Sequence, residues 1–196
     1  MAFSDTNING TLHVLEQARL HAVDHVVYAS SASVYGAETT LPASTAQPAV
    51  HPITLYGVTK RTAELMAHTW STLYGLPTTG LRFFNVYGPW GRPDAALAIF
   101  PRAMLRGEPV PLFNHGQHAR DFTYVGDIAA GVVQALMHVP EAMGDASAHD
   151  AVDGSAAPWR LYNIGRGQGV QLPAFIEALE AAFGVQARLD LLPKRQ

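Results

Sequence analysis

Cysteine is absent from the chain. That excludes disulfides, thiolate metal ligands and a cysteine nucleophile, and it is compatible with a reducing compartment. Lysine is nearly absent too: of 13 basic residues only Lys60 and Lys194 are lysine, and the rest are arginine. No apolar run approaches the roughly 18 residues of a membrane span. The polar start at residues 1–9 lacks a signal peptide's basic-then-apolar order. No single sign of charge dominates: a net charge of −3 and a pI near 6.3 carry no footprint for nucleic acid or an anionic membrane. Nor is there a Gly-x-Ser-x-Gly elbow for a serine nucleophile. What is present, 48% hydrophobic and 15% charged residues over 196 positions, describes a cytoplasmic globular domain or a piece of one.

Apolar residues at Ile8, Leu12, Leu15 and Ala18 give 6–20 a helical period. Residues 25–30 form a short apolar run of the kind found in a buried parallel strand, ending in small hydroxylated residues and a turn at Tyr35-Gly36. A proline-bearing loop at 41–52 leads to a helix at 53–74, with Leu55, Val58, Leu65, Met66, Trp70 and Leu73 available to the core. Gly75 and Pro77 stop that helix. A second buried strand is expected at 78–86, then a helix at 94–105 with Asp94 as N-cap, a short strand at 110–113 and a helix at 125–138. Residues 140–158 have no periodicity and read as a flexible surface insertion. A third strand at 161–164 and a core-facing helix at 172–183 follow. Strands alternating with helices indicate an α/β fold with a parallel sheet.

The chemistry concentrates in two segments. In Tyr56-Gly57-Val58-Thr59-Lys60 a helix sets a tyrosine and a lysine one turn apart on one face. An ammonium held beside a phenol favours the phenolate, which is a usable base near neutral pH. The spacing is common by chance, so its surroundings carry the argument. Ser30-Ser31-Ala32-Ser33 falls at the carboxyl end of the first expected strand, where open α/β sheets hold their ligands. A hydroxyl there can bond a substrate oxygen while Tyr56 exchanges the proton; the alternative is a serine-rich turn.

With both segments in view, the chain resembles the extended short-chain dehydrogenase/reductases that act on nucleotide sugars. Ser31 with Tyr56-x-x-x-Lys60 matches that family's catalytic triad, including the interval between serine and tyrosine. The runs Asn7-Ile8-Asn9-Gly10-Thr11-Leu12, Arg82-Phe83-Phe84-Asn85-Val86-Tyr87-Gly88-Pro89 and Arg120-Asp121-Phe122-Thr123-Tyr124-Val125 resemble further family segments. Gly88-Pro89-Trp90-Gly91-Arg92-Pro93-Asp94 looks like the UDP-glucuronate 4-epimerases among them.

The resemblance implies a partial Rossmann-like doubly wound parallel sheet, its C-terminal half, with part of a small α/β substrate-binding domain. The Rossmann part would span 1–93, and the substrate region 94–196, with 160–183 returning to the Rossmann sheet. It implies that Ser31, Tyr56 and Lys60 are catalytic, and that Asn7, Ala29, Ser30, Tyr56, Lys60, Phe83 and Phe84 meet NAD. Ser31 and Asn85 would touch the sugar, Arg92 a sugar carboxylate, Arg120 the UDP diphosphate and Phe113 the uracil. Guanidinium suits the carboxylate role because it binds through two parallel charge-assisted bonds. Threonine is common at the Asn85 position among glucuronate epimerases. Arg92 and Arg120 can also be read as a turn residue and as half of a surface pair with Asp121, and Phe113 as an ordinary core residue.

The implied reaction inverts C4 of UDP-glucuronate through a transient 4-keto sugar. Tyr56 takes the C4 hydroxyl proton, hydride passes to NAD and returns to the other face, and no metal is needed. His115-x-x-His118 lacks a third ligand. No Asp or Glu stands in Ser31-Ala32-Ser33, where relatives that dehydrate or decarboxylate carry one, and this favours an epimerase. UDP-glucose 4-epimerase, another NAD-dependent epimerase/dehydratase and an inactive remnant are the alternatives. The family also implies a homodimer through helices near 6–20 and 53–74.

A dinucleotide fingerprint of strand, glycine-rich turn and helix is expected ahead of Asn7, and none is there. Gly165-Arg166-Gly167-Gln168-Gly169, with Asp190 downstream, lacks the third glycine at the fingerprint interval because position 170 is valine. It reads as a decoy. The chain is therefore expected to lack the first strands of the sheet and the closing substrate region, through a mis-assigned start or a truncation, and to bind NAD weakly by itself.

Overall fold

β-Branched and small residues build two adjacent parallel strands, β1 (Val26–Ser31) and β2 (Thr78–Phe83), with Val26 opposite Thr78 and Ser31 opposite Phe83. A third strand, β7 (Trp159–Ile164), pairs in parallel with the other side of β2. The sheet order is β1-β2-β7. These coordinates are a computed structural model that describes residues 2–37, 40–143 and 155–193. The α/β class and the parallel sheet agree with the sequence reading.

The first helical stretch begins earlier than its apolar period suggests. A short α1 (Ala2–Ser4) and a π-helical stretch (Asp5–Asn9) run directly into α2 (Gly10–Leu20), which buries Leu15 and Ala18. Together with Ala67, Leu76, Trp159 and Leu161 these form one core of the sheet unit. Gly36, at φ 77°, passes so close to the His51 carbonyl that any Cβ would run into it. Only glycine fits that turn.

Helix α3 (Leu55–Tyr74) is bounded by local chemistry. Thr54 is extended, and its Oγ1 accepts from the Gly57 N–H at 3.0 Å; Gly75 closes the helix in the left-handed region at φ 66°. The buried face is not the apolar one expected. Leu55, Val58, Leu65 and Leu73 are exposed, Met66 and Trp70 are half-buried, and the buried positions are Gly57, Thr59, Ala63, Glu64, Ala67 and Ser71. Small side chains let the helix lie close to the sheet, so the large ones are left outside.

The expected strand at 78–86 is broken. β2 ends at Phe83, and after Phe84 the chain enters β3 (Asn85–Tyr87), whose three residues are all exposed and which pairs with β6 (Phe122–Tyr124) in a separate two-stranded sheet. Backbone contacts divide the chain into two units there. One comprises residues 1–84 with 127–164, the other 85–126 with 165–196. β7 is hydrogen-bonded to β2 and so carries residues up to 164 into the first unit.

In the second unit α4 (Ala96–Arg106), β4 (Val110–Phe113) and α6 (Leu172–Phe183) enclose Phe100, Ala103, Met104, Val110, Leu112, Leu172 and Ile176. β4 pairs in parallel with β9 (Leu189–Leu192), and β5 (Ala119–Arg120) pairs antiparallel with β8 (Val170–Gln171). α4 starts two residues later than expected, and Asp94 does not cap it. The N-cap is Ala95, and the Asp94 carboxylate bonds the Arg92 guanidinium instead. α5 (Val125–Met137) follows β6 directly. Of the expected insertion at 140–158, residues 144–154 lie outside the described residues. Its flanks are tied down, through Met143 N–H to Ala156 O and through Ser155 Oγ to His68 Nε2.

One ionised cluster sits inside the first unit. Glu64 on α3 is 0% exposed and Arg82 on β2 is 2% exposed. Arg82 Nε and Nη2 each donate to Glu64 at 2.8 Å, Ser30 Oγ donates at 2.5 Å and Arg61 Nη1 at 2.8 Å. Burial pushes the Glu64 carboxyl up, but the Arg82 guanidinium, the Ser30 hydroxyl and Arg61 outweigh it and hold it below its ordinary 4.5. A folded-state value below the unfolded one stabilises fully above the unfolded pKa and is lost as pH falls through the folded one. Denaturant unfolding between pH 3 and 6 should therefore show a stability drop that sets in below about 4.5, and Glu64→Gln should flatten it. Removing the carboxylate in Glu64→Ala should cost about 3–5 kcal/mol at neutral pH. Identical acid limbs in the parent and Glu64→Gln would show that the pair contributes nothing to the pH dependence.

Candidate active site

Ser31 ends β1 and caps the short 3-10 turn that follows (Ala32–Val34): its Oγ accepts from the Ser33 N–H and lies 3.2 Å from Ser33 Oγ. The first turn of α3 packs against that turn because residue 57 is glycine. A Cβ there would stand 2.5 Å from the Ser33 carbonyl oxygen. The sequence reading did not single out Gly57; its signal was a glycine inside a helix, which is otherwise unfavourable.

Tyr56 and Lys60 are half-buried on α3, with the Lys60 ammonium 5.8 Å from the Tyr56 ring centroid. Lys60 Nζ donates to the Ala29 carbonyl of β1 at 3.1 Å. Burial holds the Lys60 ammonium below the usual lysine range. Phe3 packs against the Tyr56 ring, with ring centroids 5.9 Å apart. Asn7 is engaged nearby, its Nδ2 donating to Thr59 Oγ1 at 3.0 Å. The first unit thus gathers Asn7, Ala29, Ser31, Tyr56 and Lys60 around the β1–α3 contact.

Ser30 is different. It is 2% exposed and its hydroxyl is committed to Glu64, whereas Ala29 beside it is exposed. Phe83 is half-buried at the end of β2, and Phe84 packs on the small cluster of Val34, Tyr35 and Ala49. The Tyr35 hydroxyl donates to Asn163 Oδ1 at 2.6 Å, and the Arg82 guanidinium carbon lies 4.6 Å from the Tyr35 ring centroid.

The remaining candidates belong to the second unit. Asn85 and Arg120 are exposed and Phe113 is half-buried at the end of β4. Arg92 is 82% exposed and forms a two-pronged ion pair with Asp94, which is 63% exposed. Asp121, next to Arg120, turns inward to Thr123 and to the glycine-bearing turn. Its Oδ1 accepts from Arg166 N–H at 2.9 Å and its Oδ2 from Gly167 N–H at 2.8 Å. The amides that would cradle a phosphate in a dinucleotide fingerprint already hold a carboxylate. That turn is structural.

Comparison with known proteins identifies a family. The family described as NAD dependent epimerase/dehydratase matches residues 1–146. A probable UDP-glucuronate 4-epimerase of Rhizobium meliloti is 42% identical over 100% of this chain and 58% of its own length. UDP-glucuronic acid 4-epimerase from Bacillus cereus, solved with UDP-glucuronic acid and NAD, superposes with a TM-score of 0.79 at 30% identity, covering 97% of this chain and 55% of that one. UDP-glucose 4-epimerase from Thermotoga maritima, solved with UDP-glucose, gives 0.82 at 29% identity, covering 98% and 58%. The chain spans about half the length of the curated relatives it matches.

The close approach at residue 57 leads to a test. Gly→Ala inside a helix ordinarily stabilises by about 0.5–1 kcal/mol, but Gly57→Ala should instead destabilise by about 1–3 kcal/mol, because the methyl must push α3 off Ser33. Equilibrium denaturation of the two proteins measures it, and a stabilised variant would show that the helix does not lie this close.

Proposed function

The chain belongs to the NAD-dependent epimerase/dehydratase family, and on that premise we propose that it carries the reactive edge of a nucleotide-sugar 4-epimerase acting on UDP-glucuronate. The observation that carries the reading is the Tyr56–Lys60 pair, held on one helix face with the lysine half-buried on the strand that ends in Ser31.

In this reading Tyr56 takes the proton of the sugar C4 hydroxyl and later returns it, while the Ser31 hydroxyl bonds the same oxygen. Lys60 supplies a positive charge beside the ring, where negative charge gathers as the proton leaves. Its donor set suits NAD at the ribose end: a cation and a phenol beside exposed Ala29 can meet sugar hydroxyls. Phe83 and Phe84 would flank the cofactor, and Asn7 and Ser30 would act through the backbone they brace. NAD held there would supply a reversible hydride acceptor for C4, which leaves substrate and product at the same oxidation state.

On the substrate side Asn85 would meet the sugar, Arg120 the diphosphate and Phe113 the uracil. Arg92 would hold the uronate carboxylate. Its present pairing with Asp94 supports that role, since the guanidinium already grips a carboxylate through two nitrogens. The competing reading is a 4-epimerase for a neutral UDP-sugar. A homodimer through α2 and α3 is part of the proposal, supported by Leu55, Val58, Leu65 and Leu73, which line the outer face of α3 at helical spacing. Sedimentation of Leu65→Arg, expected to be more monomeric than the parent, tests it; an unchanged distribution would remove that interface.

Substrate choice turns on Arg92. In a protein that joins this chain to a nucleotide-binding segment, Arg92→Ala should lower kcat/KM for UDP-glucuronate about 10- to 100-fold, the worth of a charged hydrogen bond, and leave UDP-glucose within about twofold. Equal losses for both sugars would refute the carboxylate role.

A further inference from the structure

The reaction just proposed makes no use of the most deeply buried charge among the described residues of the first unit. Glu64 sits one helical turn beyond Lys60, on the same side of α3. Its carboxylate receives Arg82 from β2 and Ser30 from β1, and Arg61 from its own helix. Lys60 Nζ bonds the carbonyl of Ala29, the residue before Ser30, and the residue after it is Ser31. Two successive turns of α3 are thus attached to two successive residues of β1, directly next to the reactive serine.

A buried ion pair is a poor way to gain stability. An apolar pair of similar volume is often as stable or more so, whereas apolar packing allows rotation and sliding that a directional ion pair forbids. Arg82 is fixed in turn by the Tyr35 ring and, through the Tyr35 hydroxyl, by Asn163 of β7, whose Nδ2 donates to Ala43 O. The clamp is therefore anchored across all three strands. Arg82 Nη1 is buried with no hydrogen-bond partner among the described residues. The guanidinium sits where the carboxylate needs it, at the expense of one of its own donors.

We propose that Glu64 is the positioning residue of the Tyr56–Lys60 pair: gripped by Arg82 and Ser30, it sets the height and rotation of α3 so that Lys60 reaches the Ala29 carbonyl. The proposal rests on Tyr56 and Lys60 being the reactive pair, but its geometric core does not require substrate. Apolar packing from Leu15, Ala18 and Ala67 would still hold α3 near the sheet without the clamp, but not in this register.

The sequence offers a direct probe, because Lys60 and Lys194 are its only lysines. Reductive methylation of the whole 196-residue chain with ¹³C-formaldehyde labels three amines for NMR, Lys60, Lys194 and the α-amine; Lys194→Arg removes one signal, and the α-amine is set apart by titrating at about pH 8. In the parent, the Lys60 signal is expected apart from that of Lys194 and to titrate at lower pH. In Glu64→Gln, and in Ser30→Ala, which removes only the hydroxyl between carboxylate and strand, it should lose that separation and titrate with Lys194. The double change Glu64→Leu with Arg82→Met should recover thermal stability without restoring the separated signal. Variants that remain folded by circular dichroism yet keep the parental Lys60 shift and titration would overturn the proposal. So would recovery of the separated signal in the apolar double variant, since packing alone would then suffice. Should Glu64→Gln fail to fold, Ser30→Ala decides the question alone. Failure of these signals to respond leaves the epimerase reading standing, and absence of turnover in the protein joined to a nucleotide-binding segment removes only the latter.

Discussion

Glu64 and Arg82 set the terms for the rest of the first unit. Withdrawing a carboxylate and a guanidinium from water costs several kcal/mol for each ion unless their hydrogen-bonding capacity is met nearly in full. Here the carboxylate receives four hydrogen bonds from three side chains. Those bonds require α3, β1 and β2 to hold one mutual arrangement, and the small stripe Gly57, Ala63, Ala67 and Ser71 permits the close approach that the bonds need. Lys60 and Ser31 inherit their positions from that arrangement. The core cluster meets the candidate site at Ser30, which bonds Glu64 and stands between Ala29, whose carbonyl accepts from Lys60, and Ser31.

The sheet that carries this site is unevenly covered. β2 is buried over its first five residues, whereas β1 is mostly half-buried and has no second neighbour among the described residues. An open groove of about 590 Å³ follows its outer side, with Val14 and Ala18 of α2, Val26 and Val27 of β1, and Val132 and Leu136 of α5 along it. Successive strand residues face opposite sides of a sheet, so Val26 and Val27 bring the groove around the strand edge. An uncovered apolar edge of this kind is a template for pairing.

The second unit uses acids and bases differently. Asp121 stands next to an exposed arginine and does not pair with it; it folds inward and ties β6 to the glycine-bearing turn after β7. Arg92 and Asp94 are exposed and pair on the surface, where water screens the attraction and the pair adds little stability. A guanidinium so placed can exchange one carboxylate for another. Burial makes Arg82 a fixed structural part, and exposure makes Arg92 suited to binding.

Much of this was legible in the residues alone. The α/β class, the strand before Ser31, the helix at 172–183 and the one-turn spacing of Tyr56 and Lys60 all follow from periodicity and capping, which a few neighbouring residues determine. Gly75 stops α3 and Thr54 starts it for the same local reason. The tertiary structure alone decided which face of α3 is inside, since apolar period pointed to Leu55 and Leu65 while close packing chose Gly57 and Glu64. It also decided that the chain changes sheets after Phe83, that Asp94 serves Arg92 rather than a helix end, and that the glycine-bearing turn encloses Asp121. Each of these depends on a partner brought alongside by folding, and the identity of that partner is written nowhere near the residue that uses it.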